Sequence, residues 1–466
     1  MPQPRSSRNS GRQQLDLAHP SRLVTISLAD SHSLVVLTNL VDWTEMVSRA
    51  QQVRSKRLKN AAGRPPHLRA LLGALVLMAV RYRPYRDIHD LIRYYAPARY
   101  LCGLMDSPWT PDFRTIQDFA QLMGEEGIRL INEGVIVQAK QHGLVDPEMA
   151  VADMTAQEAA IPHPNEMGLM AGFFRSVSKA ASKVGHAFKA FMDQAATTIK
   201  AAREKVRHYR LFAKTKTVKD RVMSEMAKLV ENLNDCLGIT LKQSAAVGHK
   251  LRRHAKVAYQ ALASLRQSMA DLLPQIRYWL RTGRVAVGKI INLHIPQLYS
   301  IVRGKVGKAV EFGVSWGITR LGGGFLLATM ACERRDLHDS TFAVRAVKDL
   351  AALFGKAPDS YAYDRAGHSA QNVVQLRKLG VRNIGLAPRG HTAWSVKGAV
   401  KQRLIRERAQ IEGGIGTIKR QRYGFNRPAA RSVPMMGVCG QRAVLGSNLG
   451  KFVRGIAHQR KINIVW

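Results

Sequence analysis

Three carboxylates stand in contexts that could do chemistry. Asp153 lies in MAVADMTAQEAAIPHP, Asp364 in DSYAYDRAGHSAQN and Glu412 in RERAQIEGGIGTIKR. Three such residues are the smallest set that holds two divalent ions beside a phosphodiester, because Mg²⁺ takes hard oxygen ligands and keeps several waters. One ion would activate an attacking hydroxyl while the other stabilises the leaving oxygen. Arg408 precedes Glu412 by four residues and shares its helical face. Lys419 follows Glu412 by seven residues, about two turns along. Both could hold a phosphate near such a centre, as could Arg365, which follows Asp364 directly.

Each residue also has a plainer reading. A lone Asp at a strand end is usually a turn or cap residue. A lone Glu on a basic helix is usually half of an i,i+4 pair, here with Arg408. The three acids in this order and with these flanks favour a metal site, with Mg²⁺ as the expected ion and Mn²⁺ as its substitute. Thr155 shares a strand face with Asp153 and could orient it. Asp336, His338 and Asp339 in RRDLHDS should cap a helix before serving a site. His163, between Pro162 and Pro164, mainly shapes a loop. GGIGTIK lacks the spacing of a phosphate-binding loop.

Elements must bring these residues together. MAVADM (149–154) reads as a short strand ending in Asp153, and GFLLATMAC (324–332) as a second. HDSTFAVRAVKDLAALFG is then a helix, SYAYD a strand leading to Asp364, SAQNVVQLRKLG a helix closed by Gly380, and NIGLAP a strand ended by Pro388. This alternation predicts a mixed α/β sheet. Two adjacent strands would join Asp153 to Asp364, and a helix laid across the sheet would carry Glu412. Residues 21–146 show apolar spacing of helices and form an all-α unit. That unit could carry a helix-turn-helix or serve only as packing. Residues 1–20 read as a basic disordered tail.

The chain has 466 residues, 72 Lys+Arg and 33 Asp+Glu, a formal net charge of +39. Such a surplus repels itself unless a polyanion binds it, and nucleic acid is the natural partner. Residues 171–310 hold 27 Lys+Arg and 7 Asp+Glu, so 27 − 7 = +20. The region 172–311 therefore reads as a basic helical insertion facing DNA, against the plainer reading of solvated helices or an anionic membrane surface. Cys102, Cys236, Cys332 and Cys439 form no CxxC pair, which excludes a zinc ribbon and a disulfide scaffold and fits a reducing cytoplasm. The N-terminus has no apolar signal region, and the run Leu71 to Val80 is too short to span a bilayer.

With these residues in place, the chain resembles a bacterial insertion-sequence transposase of the DDE type. The resemblance runs through LRALLGALVLMAVRYRPYRDIHDLIRYY, ADMTAQEAAIPHPNEMGLM, YDRAGHSAQNVVQLRKLG, RAQIEGGIGTIKR and SNLGKFVRG. It places the family's catalytic acids on Asp153, Asp364 and Glu412. The Arg and Lys of its Tyr-Arg-Glu-Lys signature fall on Arg408 and Lys419, while the Tyr position holds Ile405. The resemblance implies an RNase H-like catalytic core, residues 147–171 plus 312–430, split by the insertion and followed by a C-terminal helix and tail, 431–466. It also implies metal-dependent cleavage at element ends, transfer of a 3′-OH into target DNA, assembly as a homodimer or larger complex, and a cytoplasmic, nucleoid-associated location. A catalytically inactive DNA-binding relative is the alternative.

Overall fold

The computed structural model describes residues 27–58, 66–248, 251–305, 308–331, 337–388 and 394–464. The basic tail at 1–20, Cys332 and Asp336 lie outside them. Helices α1 (Ser33–Leu40), α2 (Trp43–Arg57), α3 (Leu68–Arg81), α4 (Tyr85–Tyr94), α5 (Ala96–Leu101) and α6 (Phe113–Gln141) come first. Asp112 caps α6 by accepting from the Arg114 amide. Every residue of α3 from Ala70 to Ala79 is buried, so α3 is a core helix and cannot lie in a DNA groove. The continuous helical pattern of α6 hides a break. Gly124 takes φ 59 there, and Arg57 donates to the freed Leu122 carbonyl at 3.0 Å, one of the known causes of a kink.

Strand β1 (Asp146–Glu158) follows, then a helical run: α7 (Glu166–Val184), α8 (Lys189–Leu211), α9 (Lys216–Gln243), the short α10 (Ala245–Gly248) and α11 (Arg253–Thr282). These helices bury their own core, including Phe173, Phe188, Met226, Leu237, Leu262 and Met269. The chain then forms β2 (Tyr299–Lys305), β3 (Lys308–Gly322), β4 (Leu326–Met330), α12 (Asp339–Phe354), β5 (Ser360–Tyr363), α13 (Ala370–Lys378), β6 (Asn383–Leu386), α14 (Gly398–Ile418) and α15 (Val433–Arg460). β2 and the start of β3 fall at positions the sequence reading gave to the helical insertion. Glycines and basic residues in YSIVRGK and KAVEFGVSWGITRLG dilute the strand pattern there, and only the pairing of β3 with β1 and of β2 with β3 makes it visible.

The sheet order is β2-β3-β1-β5-β6, with β4 also on β3. β3 runs antiparallel to β1, β2 and β4. β5 runs parallel to β1 and β6 parallel to β5. β1 is thus the long central strand between an antiparallel and a parallel half. One face packs on α12 and the N-terminal helices, and the other packs on α14. α15 is no peripheral tail helix, for every residue from Met436 to Gly450 is buried, as expected of a helix enclosed on all sides. Glycines permit its close fit. A Cβ at Gly446 would sit 2.1 Å from the Ala79 carbonyl of α3, and one at Gly440 would sit 2.3 Å from the Trp316 ring of β3. Asn448 and Gln441 of α15 donate to the Leu326 and Ala328 carbonyls of β4 at 2.7 and 2.8 Å, fixing the strand on the helix.

Candidate metal centre

Asp153 lies inside β1 rather than at its end, a correction to the sequence reading. The strand continues to Glu158 because its far half pairs with β3 alone. β5 pairs with β1 only from Met149 to Val151, ending with Val151 opposite Ala362. Carrying that parallel register forward by two residues sets Asp153 beside Asp364, where β5 has stopped. The end of one strand thus leaves a gap along the other, and both aspartates border it.

A third carboxylate joins them. Asp153, Asp339 and Asp364 each offer an oxygen within 4.8 Å of the others, and all three side chains are half-buried. Asp339 opens α12, but it is not the cap. His338 takes that place in a capping box with Thr341, leaving the Asp339 carboxylate to the cluster. The Tyr363 hydroxyl donates to Asp339 at 3.1 Å. Burial, reinforced by the charge of Asp339, pushes the Tyr363 phenol far up, so it stays a donor. Burial likewise lifts the Tyr361 phenol, with Asp153 adding to the effect. Asp153 accepts from the Met154 amide at 2.7 Å, and Asp364 accepts from the Ala366 amide at 2.9 Å. Both amides fix carboxylate orientation while leaving further lone pairs for a cation. Three hard oxygen donors suit Mg²⁺ or Mn²⁺.

The other expected residues are arranged differently. Glu412 is exposed on α14 and stands outside the acid group. Leu404 of that helix sits on β5 and β6 near Ala362 and Gly385. Glu407 and Gln410 then meet Arg320 of β3, and Gly414 meets Leu326 of β4. The helix has therefore crossed β1 before it reaches Glu412. Arg408 is exposed, and among the described residues no ion pair joins it to Glu412; the pair that exists is Arg320–Glu407 at 2.8 Å. Lys419 is the C-cap of α14. Arg365 is exposed in the short turn after Asp364. Thr155 is buried two residues past Asp153, and His163 rests edge-on against Phe312 at 5.3 Å, as a loop-shaping residue would. Asp339 is the residue that sequence reasoning placed second, as a cap before a site residue. The sole signal was a polar run between a strand and a helix, and that pattern is the common signature of a cap.

Residues 24–122 match a family model, the transposase domain DUF772. The matched stretch spans α1 to α5 and the start of α6. It stops before β1 and contains none of the clustered aspartates. No curated protein and no solved structure matches the chain. Among the described residues no helix is long and apolar enough to cross a membrane.

Proposed function

We propose that this chain is a metal-dependent DDE-type transposase that cleaves DNA at the ends of an insertion element and transfers the freed 3′-OH into target DNA. The observation that carries this reading is the convergence of Asp153, Asp339 and Asp364 in a chain whose N-terminal helices match a transposase domain. A long central strand with antiparallel partners on one side and parallel partners on the other supports an RNase H-like core. The net charge of +39 supports a DNA partner.

Asp153 and Asp364 would hold Mg²⁺, with Mn²⁺ able to replace it. Bound there, the ion supplies Lewis-acid stabilisation of phosphate charge and a more acidic nucleophile. Tyr363 holds the Asp339 carboxylate, and the backbone amides hold the other two. Arg365, Arg408 and Lys419 would position the DNA backbone, and assembly as a homodimer on two element ends belongs to the same reading. Glu412 would complete the centre as third ligand. Its place outside the acid group favours one rival reading, a DNA-binding relative that has lost catalysis.

The deciding test uses labelled DNA carrying the element's own ends, with Mg²⁺. Wild type should cleave, and Asp364→Asn and Glu412→Gln should bind without cleaving. Binding without cleavage by wild type would establish the inactive relative. Full activity of Asp364→Asn would remove the site.

A further inference from the structure

Apart from the acid centre, the most unusual charge arrangement is a pair of joined clefts around Tyr82. One, of about 830 Å³, is lined by Arg81, Arg83, Arg422, Arg454, Tyr82 and Tyr423, with Gly446 and Gly450 of α15 as its floor. The second, of about 500 Å³, shares Tyr82 and Arg83 and adds Arg431 and Arg442. No carboxylate lines either cleft. Among the described residues Arg81, Arg83, Arg422, Arg431 and Arg442 make no ion pair.

Arg442 carries the argument. It is only 6% exposed, and its Nε is buried without a hydrogen-bond partner. Its guanidinium lies over the Tyr82 ring at 5.3 Å, and among the described residues its one hydrogen-bond partner is the Cys439 sulfur at 3.9 Å. Proteins rarely bury an unpaired cation, because the desolvation penalty needs an opposite charge to offset it. Tyr82 is itself held in the left-handed region, φ 35 and ψ 74, against Gly424, where a Cβ would meet the ring at 2.0 Å. Backbone strain at a bulky residue persists only where its surroundings enforce it, and such positions cluster at ligand clamps.

We propose that these clefts bind successive phosphates of double-stranded DNA, at a site separate from the acid centre. Planar guanidiniums match phosphate geometry bidentately, and several around two clefts that share Tyr82 and Arg83, with no acid in either lining, suit a repeating phosphate chain better than a single small anion. None of the lining residues belongs to β1, β5 or α14, yet Arg422 lies three residues beyond Lys419, so DNA in the cleft would run on from the end of α14. The choice of duplex DNA over other polyanions rests on the transposase reading.

The test is fluorescence anisotropy of the full chain with a labelled duplex of arbitrary sequence, without divalent ions, over a range of NaCl. Arg83 and Arg422 are exposed, so Arg83→Gln with Arg422→Gln should fold normally. Each lost phosphate contact removes about 0.9 from the slope of log K against log salt, so the double variant should lose about 1.8 and bind about tenfold or more weakly. Arg442→Met should also weaken binding while the unliganded Tm does not fall. Unchanged slope and affinity in the double variant would overturn the proposal. So would unchanged duplex binding with lost binding of inorganic polyphosphate, which would assign the clefts to a free anion. Cleavage of element ends by wild type with an unchanged slope in the double variant sinks this site alone. A reduced slope with no cleavage by any protein sinks the transposase reading alone.

Discussion

Asp339 joins the acid group although its flanking sequence suggests a cap, while Glu412 stands outside that group. Asp339 opens a helix, where a carboxylate commonly caps amides, but His338 performs that task and Tyr363 turns Asp339 toward Asp153 and Asp364. If Asp339 helps hold a cation, Asp339→Asn should weaken Mn²⁺ binding in a calorimetric titration by more than tenfold. Tyr363→Phe, which removes only the hydrogen bond that orients it, should cost about tenfold. Equal Mn²⁺ affinity in wild type and Asp339→Asn would confine the centre to the other acids. Ile411 and Glu412 are neighbours with opposite roles. Ile411 is 1% exposed, so Ile411→Ala should cost about 2–5 kcal/mol in urea unfolding. Glu412→Ala, on the exposed face, should stay within about 0.5 kcal/mol whatever it does to activity.

At the scale of elements, α6 and α12 meet along a seam of half-buried charges. Glu133 pairs with Arg129 at 3.0 Å, and Asp349 faces Arg345 and Thr329. Glu125 accepts from Gln441 of α15. Burial raises the pKa of all three carboxyls from the ordinary value. The native state therefore holds protons that the unfolded chain has already released, so stability falls as pH rises through the carboxylate range and is greatest at its acidic side for this seam. Glu125→Gln keeps an acceptor for Gln441 and should flatten that dependence, read as urea midpoints between about pH 4 and 7. A midpoint profile identical to wild type would show that Glu125 does not titrate across that range.

For the whole molecule, the long helical segment is an excursion from one sheet position. Glu158 and Tyr299 both pair with Gly313, on opposite sides of β3. The chain therefore leaves and re-enters across about two strand spacings, ~10 Å, with its own apolar core between. Replacing residues 166–297 by a short Gly-Ser linker should leave the sheet and N-terminal helices folded, judged by a cooperative melt. The same replacement should reduce the salt slope of DNA binding, since the segment carries much of the excess charge. An unchanged slope would mean that its charges face only water. A cut at 311 would remove β2 and part of β3, and would damage the sheet instead of testing the segment.

Some of this was legible in the linear chain because it is local. The cap at Asp112, the α/β alternation after residue 324, the buried run in α3 and the excess charge follow from spacing, turn chemistry and composition. Asp153 and Asp364 also stood out, since each follows a short apolar run, although Asp153 lies inside a longer strand. The rest depended on partners distant in sequence. β2 and β3 are dilute patterns that gain their identity from hydrogen bonds between strands, β3 to β1 and β2 to β3. α15 reads as an ordinary terminal helix until α3, α6 and the sheet enclose it. The parallel register of β1 and β5, the angle of α14 and the tyrosine beneath Asp339 set which carboxylates meet. Distances of that kind are fixed by packing between elements, and neither period nor propensity within any one element specifies them.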